Sequence, residues 1–192
     1  MTIKKREELI ITVAKKHFLT HGFEKTGMLG VAKECNIAVG TIYKHFKSKE
    51  DLYLAVVHHE MRTLFLRVQD ATKSVEDPVE RYRIYIKTKC SEIKLMQPAL
   101  SRDIKDLSLF FLQNIGYGTP ALGEINRFLG DICKGMIQKG IIREGNVTIY
   151  VNLMRSLVDV FIRSYYVDGV EEPPVDEVAE EILRLFLKGT GK

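Results

Sequence analysis

Two short helices and the turn between them can be read from Val31-Ala32-Lys33-Glu34-Cys35-Asn36-Ile37-Ala38-Val39-Gly40-Thr41-Ile42-Tyr43-Lys44-His45-Phe46-Lys47-Ser48-Lys49-Glu50-Asp51-Leu52. The apolar residues Val31, Ala32, Ile37, Ile42 and Phe46 fall where two helices joined by a turn of about four residues would cover each other, which is a helix-turn-helix. Ala32 is small where the helices cross. Asn36 is one of the few residues other than glycine that tolerates a left-handed turn. Gly40, near the start of the second helix, lets the backbone approach a groove wall or a base edge closely. Tyr43, Lys44 and His45 carry polar tips able to reach phosphates, and Lys47 and Lys49 add charge.

Working outward, Gly22 stops a first helix running from Thr2 to His21, where Ile10, Val13, Ala14 and Phe18 recur at helical spacing. Thr26 is expected to cap the second helix, which runs to about Cys35, and the third covers Val39 to His45. Ser48-Lys49-Glu50-Asp51 sets a capping hydroxyl ahead of two carboxylates that suit a helix dipole, so a long fourth helix runs to about Thr72. Asp77-Pro78-Val79-Glu80 opens a fifth to about Met96, where Gln97-Pro98 is expected to break it. A sixth covers Ala99 to Gln113. A seventh runs from Thr119-Pro120 to Gly140, an eighth from Asn146 to Asp168, and a ninth from Val175 to Lys188. Tyr82 to Lys89 and Val147 to Leu153 are rich in strand-prone residues, yet each lies inside a longer helical period between caps. The expected fold is all-α: nine helices, a small N-terminal module and a larger helical body, with no sheet.

Charge divides the 192 residues in the same place. Residues 1–48 hold 9 Lys/Arg against 4 Asp/Glu, while residues 49–192 hold 20 against 21, so the net +4 is a basic module on a neutral body. That is the electrostatic footprint of something that meets phosphate. With 45% hydrophobic and 28% charged residues the chain should fold rather than remain disordered. No apolar run reaches the ~20 residues of a bilayer span, and no apolar core follows the basic N-terminus, so neither a membrane helix nor secretion is expected. Cys35, Cys90 and Cys133 are scattered and odd in number, which reads as apolar packing in a reducing cytoplasm. His17 and His21 are expected to be partly buried packing residues, and adjacent His58 and His59 point to different helix faces. No metal, cofactor or catalytic spacing is found, and an enzyme is not expected.

The run Gly40-Thr41-Ile42-Tyr43-Lys44-His45-Phe46, with Ser48-Lys49-Glu50-Asp51-Leu52, Gly22-Phe23, Thr26, Val31-Ala32-Lys33-Glu34 and Ile37, resembles the TetR family of bacterial transcriptional regulators. The resemblance covers about residues 6–55. It implies a DNA-binding domain at 1–48 and a helical ligand-binding and dimerisation domain at 49–192. It assigns Thr26, Tyr43, His45 and Lys49 to phosphates, and Thr41, Lys44 and the Gly40 backbone to the groove. It further implies a ligand-responsive repressor, released from a palindromic double-stranded DNA operator by a small, largely apolar or amphipathic effector. Gly27, Leu29, Gly30 and Ala38 depart from the family pattern: Gly30 inside a helix and Ala38 in place of a capping Ser each cost up to ~1 kcal/mol. Fewer phosphate donors give the alternative expectation of a helical ligand-binding protein with a drifted, weak DNA module.

In the body, the eighth helix carries apolar pairs at steps of four from Ile149/Tyr150 to Tyr165/Tyr166, too many for one buried face. The resemblance implies that this helix (near 146–168) and the ninth (175–188) meet their symmetry mates in a C2 homodimer. Effector-pocket candidates are Met61, Phe65, Tyr82, Tyr85, Phe110, Phe111, Phe128 and Arg155, with Leu64, Ile86, Ile93, Tyr117 and Met136 beside them. Few charges interrupt these helices, which favours a largely apolar ligand. Arg155 and Asp159, four residues apart, are expected to pair with each other or across the dimer.

Overall fold

A computed structural model describes residues 2–100, 120–166 and 173–191, with side chains on most of them. Eight helices and no strand occur among the described residues: α1 Ile3–Lys25, α2 Met28–Glu34, α3 Val39–His45, α4 Lys49–Thr72, α5 Pro78–Leu100, α6 Pro120–Gln138, α7 Val147–Tyr166 and α8 Val175–Thr190. The expected sixth helix lies almost wholly outside the described residues.

The caps explain most of these boundaries. The Asp51 amide donates to Ser48 Oγ, the Glu80 amide to Asp77 Oδ2, and the Thr148 and Ile149 amides share Asn146 Oδ1. Ala38 and Gly27 cap α3 and α2 with no side-chain bond. Asn36 takes a left-handed conformation, φ 54°, as the turn requires. Both strand-prone segments are helical.

Three boundaries differ from expectation. Gly22 does break the helix, at φ 76° and ψ 172°, but one more turn carries α1 to Lys25. Thr26 then ends α1 instead of capping α2: its hydroxyl donates back to the Gly22 carbonyl at 2.7 Å, which the glycine break has freed. Pro98 does not stop α5, which continues to Leu100. Lacking an N–H, Pro98 forfeits one backbone bond, and the helix continues through it.

Two compact units result. One takes in residues 2–63 with the end of α5, the other residues 64–95 and 120–191. The first closes around Ile10, Ala14, Phe18, Phe23, Val31 and Ile42, and it extends past residue 48 to include Leu52, Tyr53 and Val56 of α4. Phe18, Phe23 and Tyr53 meet with ring centroids 4.9 to 5.9 Å apart. Fully burying one such ring contributes ~1.5–3 kcal/mol, so these three side chains carry much of a small core. The second unit packs the end of α4, α5, α6, α7 and α8 around Phe65, Tyr82, Tyr85, Phe128, Leu129, Met154, Val158, Ile182 and Phe186. Cys35, Cys90 and Cys133 are all buried as apolar residues.

Candidate nucleic-acid interface and effector core

In the first unit, α1 holds the two short helices by charge as well as by packing. Glu34 of α2 accepts from Lys16 Nζ at 2.7 Å and pairs with His17 Nε2 at 2.8 Å. Lys16, then His17, holds its carboxyl below the ordinary range. At α3, His45 Nδ1 meets Glu7 Oε1 at 3.0 Å. His17 is thus a partly buried packing residue, whereas His21 is exposed and only touches His17 edge-on.

These ties sort the predicted DNA residues into two groups. Thr26, 2% exposed, His45, with an 11% exposed side chain, and Lys49 are engaged within the unit. Lys49 Nζ donates to the carbonyls of Phe23 and Glu24 and sits over the Phe23 ring. Gly40, Tyr43 and Lys44 face outward: Tyr43 is 49% exposed, Lys44 is exposed, and a side chain at Gly40 would meet only open space. Thr41 is half-buried, its amide bonded to the Ala38 carbonyl at 2.8 Å. On the outer face of α2, Gly27 and Gly30 are exposed and Leu29 is 71% exposed, so the side-chain donor there is the exposed Lys33.

In the second unit, Phe65, Tyr82, Tyr85 and Phe128 come together as one aromatic group. Phe65 meets Phe128 at 5.8 Å, Phe128 meets Tyr85 at 6.4 Å, and Tyr85 stacks on Tyr82 at 6.2 Å. The Tyr82 hydroxyl donates to the Met154 carbonyl at 2.7 Å. Burial raises both tyrosine pKa values above the ordinary range. Met61 is half-buried in the first unit. Phe110, Phe111 and Tyr117 lie outside the described residues, and so does the side chain of Ile93.

Within the chain, Arg155 and Asp159 do not pair with each other. Asp159 accepts from Lys89 Nζ at 2.5 Å, and Arg155 instead donates to Asn126 Oδ1 at 3.2 Å and to Asn152. Lys89 reaches Asp159 from α5 on the same side as Tyr85, which satisfies the carboxylate before Arg155 can. Burial opposes the Lys89 charge, but Tyr85 and Asp159 outweigh it and hold the ammonium above the ordinary lysine range. Lys89 and Arg81, whose guanidinium lies 5.0 Å from the Phe128 ring centre, were not foreseen. Their signal was available: Arg81, Tyr85 and Lys89 recur every four residues, hence on one helix face.

The family model "Bacterial regulatory proteins, tetR family" matches residues 10–56, the span from the core of α1 into α4. Over that segment the chain is similar to the tetR family. "Uncharacterized HTH-type transcriptional regulator YuxN" of Bacillus subtilis is 29% identical over 59% of this chain, and the match spans only 39% of that relative. "Uncharacterized HTH-type transcriptional regulator YvkB" of the same organism is 24% identical over 94% of both chains. Among solved structures, the transcriptional regulator FadR of Bacillus subtilis in complex with stearoyl-CoA is similar in fold, with a TM-score of 0.69 and 21% identity over 95% of this chain and 98% of that one. These tetR-family and regulator names belong to transcriptional regulators, not enzymes. No described helix is long and apolar enough to cross a membrane.

Proposed function

We propose that this chain is a ligand-responsive DNA-binding regulator of transcription, acting in the cytoplasm as a repressor. The observation that carries the reading is the outer face of α3, where Gly40, Tyr43 and Lys44 are free to meet a groove while Thr26, His45 and Lys49 are held behind them. Residues 1–48 supply the DNA contacts, Thr41 included, with Thr26, His45 and Lys49 supporting the helices that make them.

A C2 homodimer would present two such faces to a palindromic double-stranded operator. Support comes from α7, where Ile149, Leu153 and Val160 are exposed at steps of four and seven on one helix face, and from exposed Leu185 of α8. Release follows when a small amphipathic effector binds the aromatic group of Phe65, Tyr82, Tyr85 and Phe128 beside Arg155. The stearoyl-CoA held by the FadR structure shows such a molecule in a protein of this fold. An effector shifts the equilibrium only through different affinities for two conformations.

Selection of bound DNA from random fragments by the purified chain tests the reading. Recovery of one palindrome, with affinity that falls steeply with salt, is the expected result. The scarcity of side-chain donors at Gly27, Leu29 and Gly30 on α2 favours a second reading, a ligand-binding protein with a weak DNA module. Ligand-induced thermal stabilisation without any sequence-selective DNA recovery would establish that reading in place of the first.

A further inference from the structure

The buried aromatic group of the second unit is ringed by more positive charge than its carboxylates neutralise. Arg81, Tyr85 and Lys89 form one stripe of α5 at four-residue steps. Arg81 lies over the Phe128 ring at 5.0 Å, and Lys89 lies 5.8 Å from the Tyr85 ring centre. Arg155 of α7 reaches Asn126 of α6. Of the three cations, only Lys89 has a carboxylate, Asp159, within ion-pair distance among the described residues. By contrast the neighbouring α5 cations Arg83 and Lys87 pair with Glu180 and Asp176 of α8.

Two buried donors in the same place lack acceptors. Arg81 Nε and the Tyr85 hydroxyl have no hydrogen-bond partner, and Tyr85 is only 1% exposed. A buried donor without an acceptor has lost its hydration with nothing in return, so a sequence that keeps two of them has a use for them. An aromatic wall supplies the apolar half of a binding site, and unsatisfied donors supply the orienting half.

We infer that the second unit binds an amphipathic anion, with an apolar chain against Phe65, Phe128 and Tyr82 and a carboxylate or phosphate held by Arg81, Tyr85 and Arg155. This deepens the proposed function and rests on its effector reading. It replaces a largely apolar ligand with one that carries negative charge at one end. Lys89 is held by Asp159 and acts on the site through its field, and the Tyr85 hydroxyl donates its proton to the anion's oxygen without transferring it.

Equilibrium dialysis of the full chain against palmitate, palmitoyl-CoA and hexadecanol tests the inference. At least one anionic probe should bind tenfold or more tightly than hexadecanol. Preference for palmitate identifies a carboxylate site, and preference for palmitoyl-CoA a site that also takes phosphates. Arg81→Gln and Tyr85→Phe, neither of which breaks an ion pair, should each narrow the gap severalfold and leave hexadecanol unchanged. Equal binding of charged and uncharged probes, no binding of any, or wild-type discrimination in both variants overturns the inference. If the anion binds with the expected preference but leaves operator affinity unchanged, this site stands and the regulatory reading fails.

Discussion

The Lys49 ammonium lies 4.3 Å from the centre of the Phe23 ring and donates to the Phe23 carbonyl at 3.0 Å. One cation thereby closes the C-terminal end of α1, where unpaired carbonyls concentrate negative potential, and covers an aromatic ring of the core. Lys49→Met should lower the stability of the first unit by about 1–2 kcal/mol in denaturant titration. If Lys49 positions the module without touching DNA, operator affinity falls with an unchanged salt slope. A direct phosphate contact would instead reduce that slope by about one.

Lys44 and Tyr43 stand on the opposite side of that distinction. Lys44→Ala should leave the thermal midpoint unchanged, weaken operator binding and reduce the salt slope by about one. Tyr43→Ala should weaken binding roughly tenfold, about 1.4 kcal/mol, again without loss of fold because the ring is not in the core. Fluorescence anisotropy at several salt concentrations measures both.

Gly30 sits inside α2 with its missing side chain facing His17, whose Cε1 would lie 3.4 Å from an added Cβ. That is ordinary contact, and the backbone is helical. Gly30→Ala should therefore raise stability by about 0.5–1 kcal/mol. A fall in the denaturation midpoint would mean that the His17–Glu34 pairing cannot tolerate even one methyl group.

Burial pushes the Tyr53 pKa up to about 12 from an ordinary 10.0. Because the folded value is the higher, the unfolded chain ionises first as pH rises. Stability is fully present below pH 10.0 and is lost as pH climbs toward 12. In urea titrations between those limits, wild type should lose about 2 kcal/mol more than Tyr53→Phe, the value of a shift of that size after partial relaxation. Parallel pH curves for the two proteins would contradict the assignment.

The exposed row on α7 gives a test of assembly. Ile149→Glu combined with Val160→Glu should convert a dimer to a monomer in sedimentation velocity, since it places like charges on both sides of a two-fold interface. The helix itself should remain, because neither side chain belongs to the buried core.

Which features were legible follows from their range. Asn36 turns the chain by its own backbone conformation, and Ser48, Asp77 and Asn146 accept from amides two or three residues on, so spacing alone revealed the turn and three helix starts. Thr26 is equally local, but its hydroxyl had two helix ends within reach, and the carbonyl freed by Gly22 won. Asp159 shows the limit more plainly. Arg155 is its neighbour by helical spacing, yet Lys89, 70 residues away, holds it, and that choice depends on which faces of α5 and α7 meet. The aromatic group was legible from residue type. The cations around it were legible only in part: spacing puts Arg81, Tyr85 and Lys89 on one face of α5, but the helix opposite decides whether that face meets solvent or core.

Leu52, Tyr53 and Val56 belong to the core that Phe18 and Phe23 close, although they stand on α4. A segment cut after residue 48, where the charge boundary falls, would carry Gly40, Tyr43 and Lys44 yet lack Leu52, Tyr53 and Val56, which complete its core. Grafting this DNA reader onto another effector body therefore means taking the helix through about residue 63, so that the hybrid's splice falls inside a continuous helix. Chimeras joined there keep the reader folded, and matching the helical phase across the splice becomes the engineering variable.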